Sequence, residues 1–117
     1  MDKKVLDVDE FMERVQDDKE LLVELLDIFK EDFSFKRAVI DEAVSMEDFE
    51  LIKSVAHSLK GASGNISAKT LREYIIKIEE MGKIKDVTQA SEILAGLDKA
   101  YEMFLQNVKE LKDKFGA

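Results

Sequence analysis

Cysteine, proline and tryptophan are absent from this 117-residue chain. Without cysteine there is no disulfide framework, no thiol nucleophile and no thiolate metal site. Without proline, nothing in the body of the chain interrupts a long helix. Histidine occurs once, which excludes multi-histidine metal centres and leaves only carboxylate-rich ones; no metal site is expected. Glycine occurs five times, at Gly61, Gly64, Gly82, Gly96 and Gly116, and no stretch reads as a linker, repeat or low-complexity run. No apolar run approaches the roughly 20 residues of a bilayer span. No signal peptide precedes the first charged residues, Asp2, Lys3 and Lys4, so a cytoplasmic location without membrane contact is expected.

Acidic residues number 26 against 18 basic ones, a formal charge of −8. Phosphate backbones are bound by clustered cations, so nucleic acid is not the expected partner. With 45% apolar and 38% charged residues the chain has the composition of a folded domain, and its length fits one domain over 1–117.

Apolar residues recur at helical spacing throughout, and no alternating strand pattern competes. A short first helix is expected after Asp7, where Asp7 and Glu10 form a capping-box pattern, with Val8, Phe11, Met12 and Val15 on one face. The second starts after Asp17, with Glu20 in the same role. It carries Leu22, Leu25, Leu26, Phe29, Phe33, Ile40 and Val44, with a possible bend at Phe33-Ser34-Phe35. The third runs from about Asp48 to Asn65 with Ile52, Val55, Leu59, Ala62 and Ile66 inward. The fourth follows Ser67 as N-cap and carries Leu71, Tyr74, Ile75, Ile78 and Met81, with Gly82 as a left-handed C-cap. The fifth starts near Asp86 and runs through Ala90, Ile93, Leu94, Leu97, Tyr101, Phe104, Val108, Leu111 and Phe115. The expected fold is all-α: an antiparallel four-helix bundle with a short additional N-terminal helix covering one end.

His57 does not belong to the inward stripe of its helix. At roughly 100° per residue, Val55, Leu59 and Ile66 fall opposite it, so the imidazole points to solvent. Gly61 and Gly64 share its face, and Lys53 and Lys60 flank it one turn to either side. Glycine within a helix costs about 1 kcal/mol relative to alanine, and here leaves the surface bare for close approach of another protein or a phosphoryl group. Gly64 equally fits a helix C-terminus. Neutral imidazole is a competent nucleophile near pH 7 and forms a covalent phosphoryl intermediate on one ring nitrogen while the other carries the proton. A carboxylate on that N–H fixes the ring, and a nearby ammonium offsets the phosphoryl charge. No phosphate-cradling glycine loop precedes a Lys-Ser/Thr pair, so no nucleotide site is read and no autonomous ATP-dependent activity is expected.

The run Ala56-His57-Ser58-Leu59-Lys60-Gly61-Ala62-Ser63-Gly64-Asn65-Ile66 closely resembles the signature of histidine-containing phosphotransfer domains of bacterial phosphorelays. The resemblance implies that His57 is the phosphoacceptor, with Lys60 and Gly61 as the lysine and glycine that follow it. Ile78-Glu79-Glu80-Met81-Gly82-Lys83 resembles the family's L-E-x-x-G-R, which implies that Glu79 orients the histidine and that Lys83 stands for the usual arginine. Ser67 replaces a frequent glycine, a mild change for a good N-cap. Arg14 to Leu22 resembles the entry to the family's first long helix, where typical members carry glycine at Gln16 or Asp17. Helical geometry puts Arg72, Ile76, Glu79 and Lys83 in a row flanking the fourth helix's core stripe; Glu79 is then either the orienting residue or one more solvated acid.

The resemblance implies a phosphocarrier rather than an enzyme. It takes a phosphoryl group from a receiver-domain aspartate and passes it to another receiver, of a response regulator or a hybrid sensor kinase. The partner supplies Mg and the domain holds no cofactor of its own; a monomer is expected. The docking face is expected to comprise Lys53, Gly61, Gly64, Ile76 and Lys83, with Ile76 an apolar contact rimmed by charge or a scattered surface isoleucine. Two other readings fit the same residues: the phosphoacceptor domain of a chemotaxis-type histidine kinase, and a docking module that no longer transfers phosphate. A metal-binding acidic bundle is disfavoured by the single histidine and by the absence of a Glu-x-x-His pair.

Overall fold

Aspartate starts the first three helices. The side chains of Asp7, Asp18 and Asp48 accept the backbone N–H groups of Glu10, Leu21 and Leu51 at 3.1, 3.0 and 3.1 Å, satisfying donors that a helix start leaves unpaired. The computed structural model describes residues 5–116, and the charged start at Asp2, Lys3 and Lys4 lies outside them. Its helices are α1 (Val8–Arg14), α2 (Lys19–Ser45), α3 (Phe49–Asn65), α4 (Lys69–Ile84) and α5 (Ala90–Phe115), with no strand among the described residues.

Several boundaries differ from expectation, each for a local reason. The cap of α2 is Asp18, because Gln16 and Asp17 both take left-handed backbone conformations, with φ of 54° and 63°. Glu10 does not close the expected capping box. Its carboxylate accepts from the Ser67 hydroxyl at 2.7 Å and pairs with Lys69 at 2.8 Å, while the Asp7 N–H donates to the Ser67 carbonyl at 3.0 Å. Ser67 is therefore not the N-cap of α4. It is buried with φ of 60°, and Ala68 holds the cap position without a side-chain bond. Gly82 does not end α4 either. It lies within the helix, and Lys85, with φ of 57°, is the left-handed residue. Helix α5 begins after a turn in which Asp86 accepts the Thr88 N–H at 2.8 Å. Helix α2 runs unbroken through Phe33-Ser34-Phe35.

Cross-helix contacts fix the antiparallel register. Lys36 meets Ser58 (α2–α3), His57 meets Glu79 (α3–α4), and Gly96 lies under the Tyr74 ring (α4–α5). Between α2 and α5, Arg37 forks onto Asp98 at 2.7 and 2.9 Å, and Lys112 reaches Asp27 at 2.7 Å. The core between the four long helices includes Leu22, Leu26, Phe33, Ile40, Ile52, Leu59, Leu71, Ile75, Ile78, Leu97 and Phe104. Phe33 stacks on Tyr101 at 4.0 Å between centroids, and Phe29 meets the edge of Phe104 at 5.4 Å. Val5, Leu6, Phe11 and Val15 are buried, and the Val5 N–H donates to the Asn107 side chain at 3.1 Å. The N-terminal segment thus closes the end formed by the α3–α4 turn and the C-terminal half of α5.

On α3 the buried face is Ile52, Ala56, Leu59 and Ser63; Val55 and Ala62, expected inward, are half-buried. The inward edge is small because α4 lies close. A Cβ at Gly82 would stand 2.8 Å from the Lys53 backbone nitrogen and the Phe49 carbonyl oxygen, and 2.9 Å from Lys53 Cβ. Backbone atoms cannot rotate aside, so only glycine fits without parting the helices.

Gly82→Ala should lower the unfolding free energy by about 1–3 kcal/mol through overpacking. Lys85→Gly should raise it by about 1 kcal/mol by relieving a left-handed side-chain residue at an exposed helix end. Urea unfolding measures both; equal stability of the glycine and alanine forms at position 82 would remove the close-packing account.

Candidate functional site

Close packing of α3 on α4 brings one polar cluster together. His57 projects from the middle of α3 with its side chain 71% exposed, and Glu79 projects from α4 with its side chain 6% exposed. His57 Nδ1 and Glu79 Oε2 are 2.8 Å apart, and the Lys60 ammonium donates to Glu79 Oε1 at 2.7 Å. Both oxygens of a buried carboxylate are thus partnered, as burial of a charge requires. Glu79 is held below its ordinary value of 4.5, chiefly by the hydrogen bond from Lys60. Burial opposes this, and the hydrogen bond to His57 and the charges of Lys60 and Lys83 reinforce it. An ionised carboxylate can only accept, so the proton of a neutral His57 ring sits on Nδ1. Nε2 then carries the lone pair and has no hydrogen-bond partner among the described residues.

The sequence expectations divide on this geometry. His57, Lys60 and Glu79 meet. Lys83 lies close enough to act on the Glu79 charge. Gly61 is open, with nothing within 4 Å of the space a Cβ would fill. Gly64 is not bare: the Arg72 side chain lies over it, at 3.5 and 3.6 Å from the same construction. Lys53 points its ammonium at Glu50, 3.4 Å away, while its backbone packs under Gly82. Ile76 stands exposed at 39%, one turn before Glu79. Glu79 is the buried member of the cluster, not one more solvated acid.

Lys36 and Arg72 also border this surface, through Ser58 and Gly64; Lys36 was not singled out from the sequence, and Arg72 was placed only in the row with Glu79. The Lys36 ammonium donates to the Ser58 hydroxyl at 2.6 Å, beside His57, and to Asp32 at 3.1 Å. Phe35, the residue before Lys36 on α2, is 71% exposed. Its signal was available: two phenylalanines two residues apart cannot both lie on one helical stripe.

The family model of the Hpt domain matches residues 24–113. The chain belongs to the Hpt family. Hpt domains are phosphocarrier modules, and the role of the chain is phosphotransfer. The fold is similar to that in the crystal structure of histidine-containing phosphotransfer protein B from Pseudomonas aeruginosa PAO1. The TM-score is 0.85 at 21% identity, over 93% of this chain and 95% of that one. No curated protein matches the chain in sequence. The departures at frequent glycines noted in the sequence share a geometry that the lysine at Lys83 does not. Ser67, and whichever of Gln16 and Asp17 stands for the frequent glycine, have positive φ. Ser67 is tolerated there because its hydroxyl is bonded to Glu10, not because it caps a helix. No helix of the described residues is long and apolar enough to cross a membrane, and no group of three or more metal-ligating side chains among them is arranged to hold an ion.

Because the folded state holds Glu79 below 4.5, its contribution to stability is full above that pH and is lost as pH falls through the lower folded value. Lys60→Met removes the largest cause of the depression and leaves burial to act in the opposite sense. In the variant the Glu79 carboxyl should titrate at higher pH, and the acid loss of stability should begin earlier. Carbon-13 shifts of the Glu79 carboxyl, with urea unfolding at stepped pH, read both; an unchanged midpoint would mean that Lys60 does not hold the carboxylate.

Proposed function

We propose that His57 is the phosphoacceptor of a phosphorelay intermediate, which takes a phosphoryl group from a receiver-domain aspartate and passes it to another receiver aspartate. The observation that carries this reading is the division of labour on one ring: Nδ1 is tied to a buried carboxylate, and Nε2 is unpartnered on an exposed side chain. In the forward step Nε2 attacks the phosphorus of the aspartyl phosphate. The P–N bond forms, the P–O bond to the aspartyl carbonyl breaks, and the aspartate leaves as a carboxylate. The proton stays on Nδ1, so the phosphorylated ring is cationic and faces ionised Glu79 across 2.8 Å. That charge pairing holds the ring in orientation and keeps the transfer reversible. Lys60 has a resting partner in Glu79 and turns part of its charge to the phosphoryl oxygens on transfer.

The partner receiver supplies Mg, and this chain contributes the nucleophile, its orienting carboxylate and an open face. Gly61 gives the closest approach, Ile76 gives apolar contact, and Lys83, Lys53 and Arg72 give positive charge around His57. Over 1–117 the chain acts as one monomeric phosphocarrier in the cytoplasm without an ATP-dependent activity of its own. The chemotaxis-type phosphoacceptor reading uses the same ring and differs in the donor, a kinase domain instead of a receiver.

Two variants test the reading. His57→Gln should keep stability within about 0.5 kcal/mol, as exposed substitutions do, and should abolish acid-labile phosphorylation by a phosphorylated receiver. Native-rate labelling of the variant would refute the assignment. Gly61→Gln meets no steric obstacle in the fold and should gain about 0.5–1 kcal/mol of helix stability. Transfer and receiver affinity should nonetheless fall by about tenfold, a loss near 1.4 kcal/mol. If both stay at native levels in titration and transfer assays, close approach at Gly61 is not part of the mechanism.

A further inference from the structure

A second surface lies along the first half of α2, away from His57. Val23 and Ile28 on α2 and the half-buried Phe115 ring at the end of α5 form an apolar groove, in which Ile28 is 55% exposed. Its rim carries Glu20, Glu24, Asp27 and Glu31, with Lys19 at the Phe115 end, its ammonium 5.1 Å over that ring. Asp27 is engaged by Lys112 and by Lys30. Glu20, Glu24 and Glu31 have no cationic partner among the described residues. They share one helical row, so carboxylates without an ion pair run between Val23 on one side and Ile28 on the other.

The charge decides what can lie there. A second copy of the chain would set the same carboxylates against each other, and anionic lipid or nucleic acid would be repelled. A cationic helix meets both demands. Its lysines or arginines, one and two turns apart, face Glu20, Glu24 and Glu31, and an apolar side chain beside them covers Ile28. We propose that this groove docks a cationic amphipathic helix of a partner protein. Lys36, which touches Ser58 beside His57, lies about 7.5 Å further along α2 than Glu31, the near end of the groove, and about 18 Å beyond Glu24. This inference does not depend on the phosphotransfer reading.

The test uses the full chain and a fluorescein-labelled synthetic helix of leucine and lysine, with lysines at i, i+4 and i+7, alongside a scrambled peptide of the same composition. The patterned peptide should bind one to one with saturable anisotropy. It should perturb amide NMR signals within Lys19–Glu31 and the last turn of α5 while sparing those around His57. Ile28→Asp, at an exposed position, and the double variant Glu24→Lys/Glu31→Lys should each weaken binding by about tenfold or more. Equal affinity for the scrambled peptide, unchanged binding to the variants, or shifts centred elsewhere would overturn the proposal. So would sedimentation of the chain alone as a dimer that Ile28→Asp dissolves, which would assign the groove to self-association.

Discussion

One carboxylate ties the site to the fold. Glu79 sits in the α3–α4 interface with one oxygen on the imidazole and the other on an ammonium. A buried acid in that position is tolerable only when both partners are in place, and both come from the neighbouring helix. The separation of α3 and α4 therefore sets the geometry of the ring. That separation is fixed three residues along α4, where Gly82 rests on the Phe49 and Lys53 backbone. Chemistry and packing here share one interface, and the L-E-x-x-G pattern records both: the glutamate for the ring, the glycine for the distance.

Lys60 occupies a double position. Its ammonium neutralises Glu79 before any phosphoryl group arrives, so its charge is already in use at rest. Removing it changes the acid that orients the ring as well as the cation available to the phosphate. Its effects on transfer and on acid stability are therefore coupled and not additive with those at Glu79.

Much of this was legible in the sequence. Helix number, order and inward faces followed from apolar spacing, and the solvent-facing histidine followed from its angle to Leu59 and Ile66. The Glu79 contact was within reach of the motif, but its burial was not. A residue on the flank of a stripe is solvated or covered according to how near the next helix comes, and that distance depends on a glycine in the same helix. The start of α2 was misplaced because Asp17 and Asp18 offer the same cap chemistry and only the backbone turn separates them. The Arg72 side chain over Gly64 and the Lys36–Ser58 contact depend on interhelical register, which periodicity within one helix does not contain.

Glycine and left-handed backbone are nearly decoupled in this chain. Gly61, Gly64, Gly82 and Gly96 all lie inside helices, while Gln16, Asp17, Glu47, Ser67 and Lys85 make the turns with positive φ. Gly116 is the one glycine with positive φ. The usual punctuation is thus inverted: glycine marks where another surface comes near, and side-chain-bearing residues mark where the chain reverses. A reader who splits the chain at its glycines cuts through its contacts and leaves its hinges unmarked.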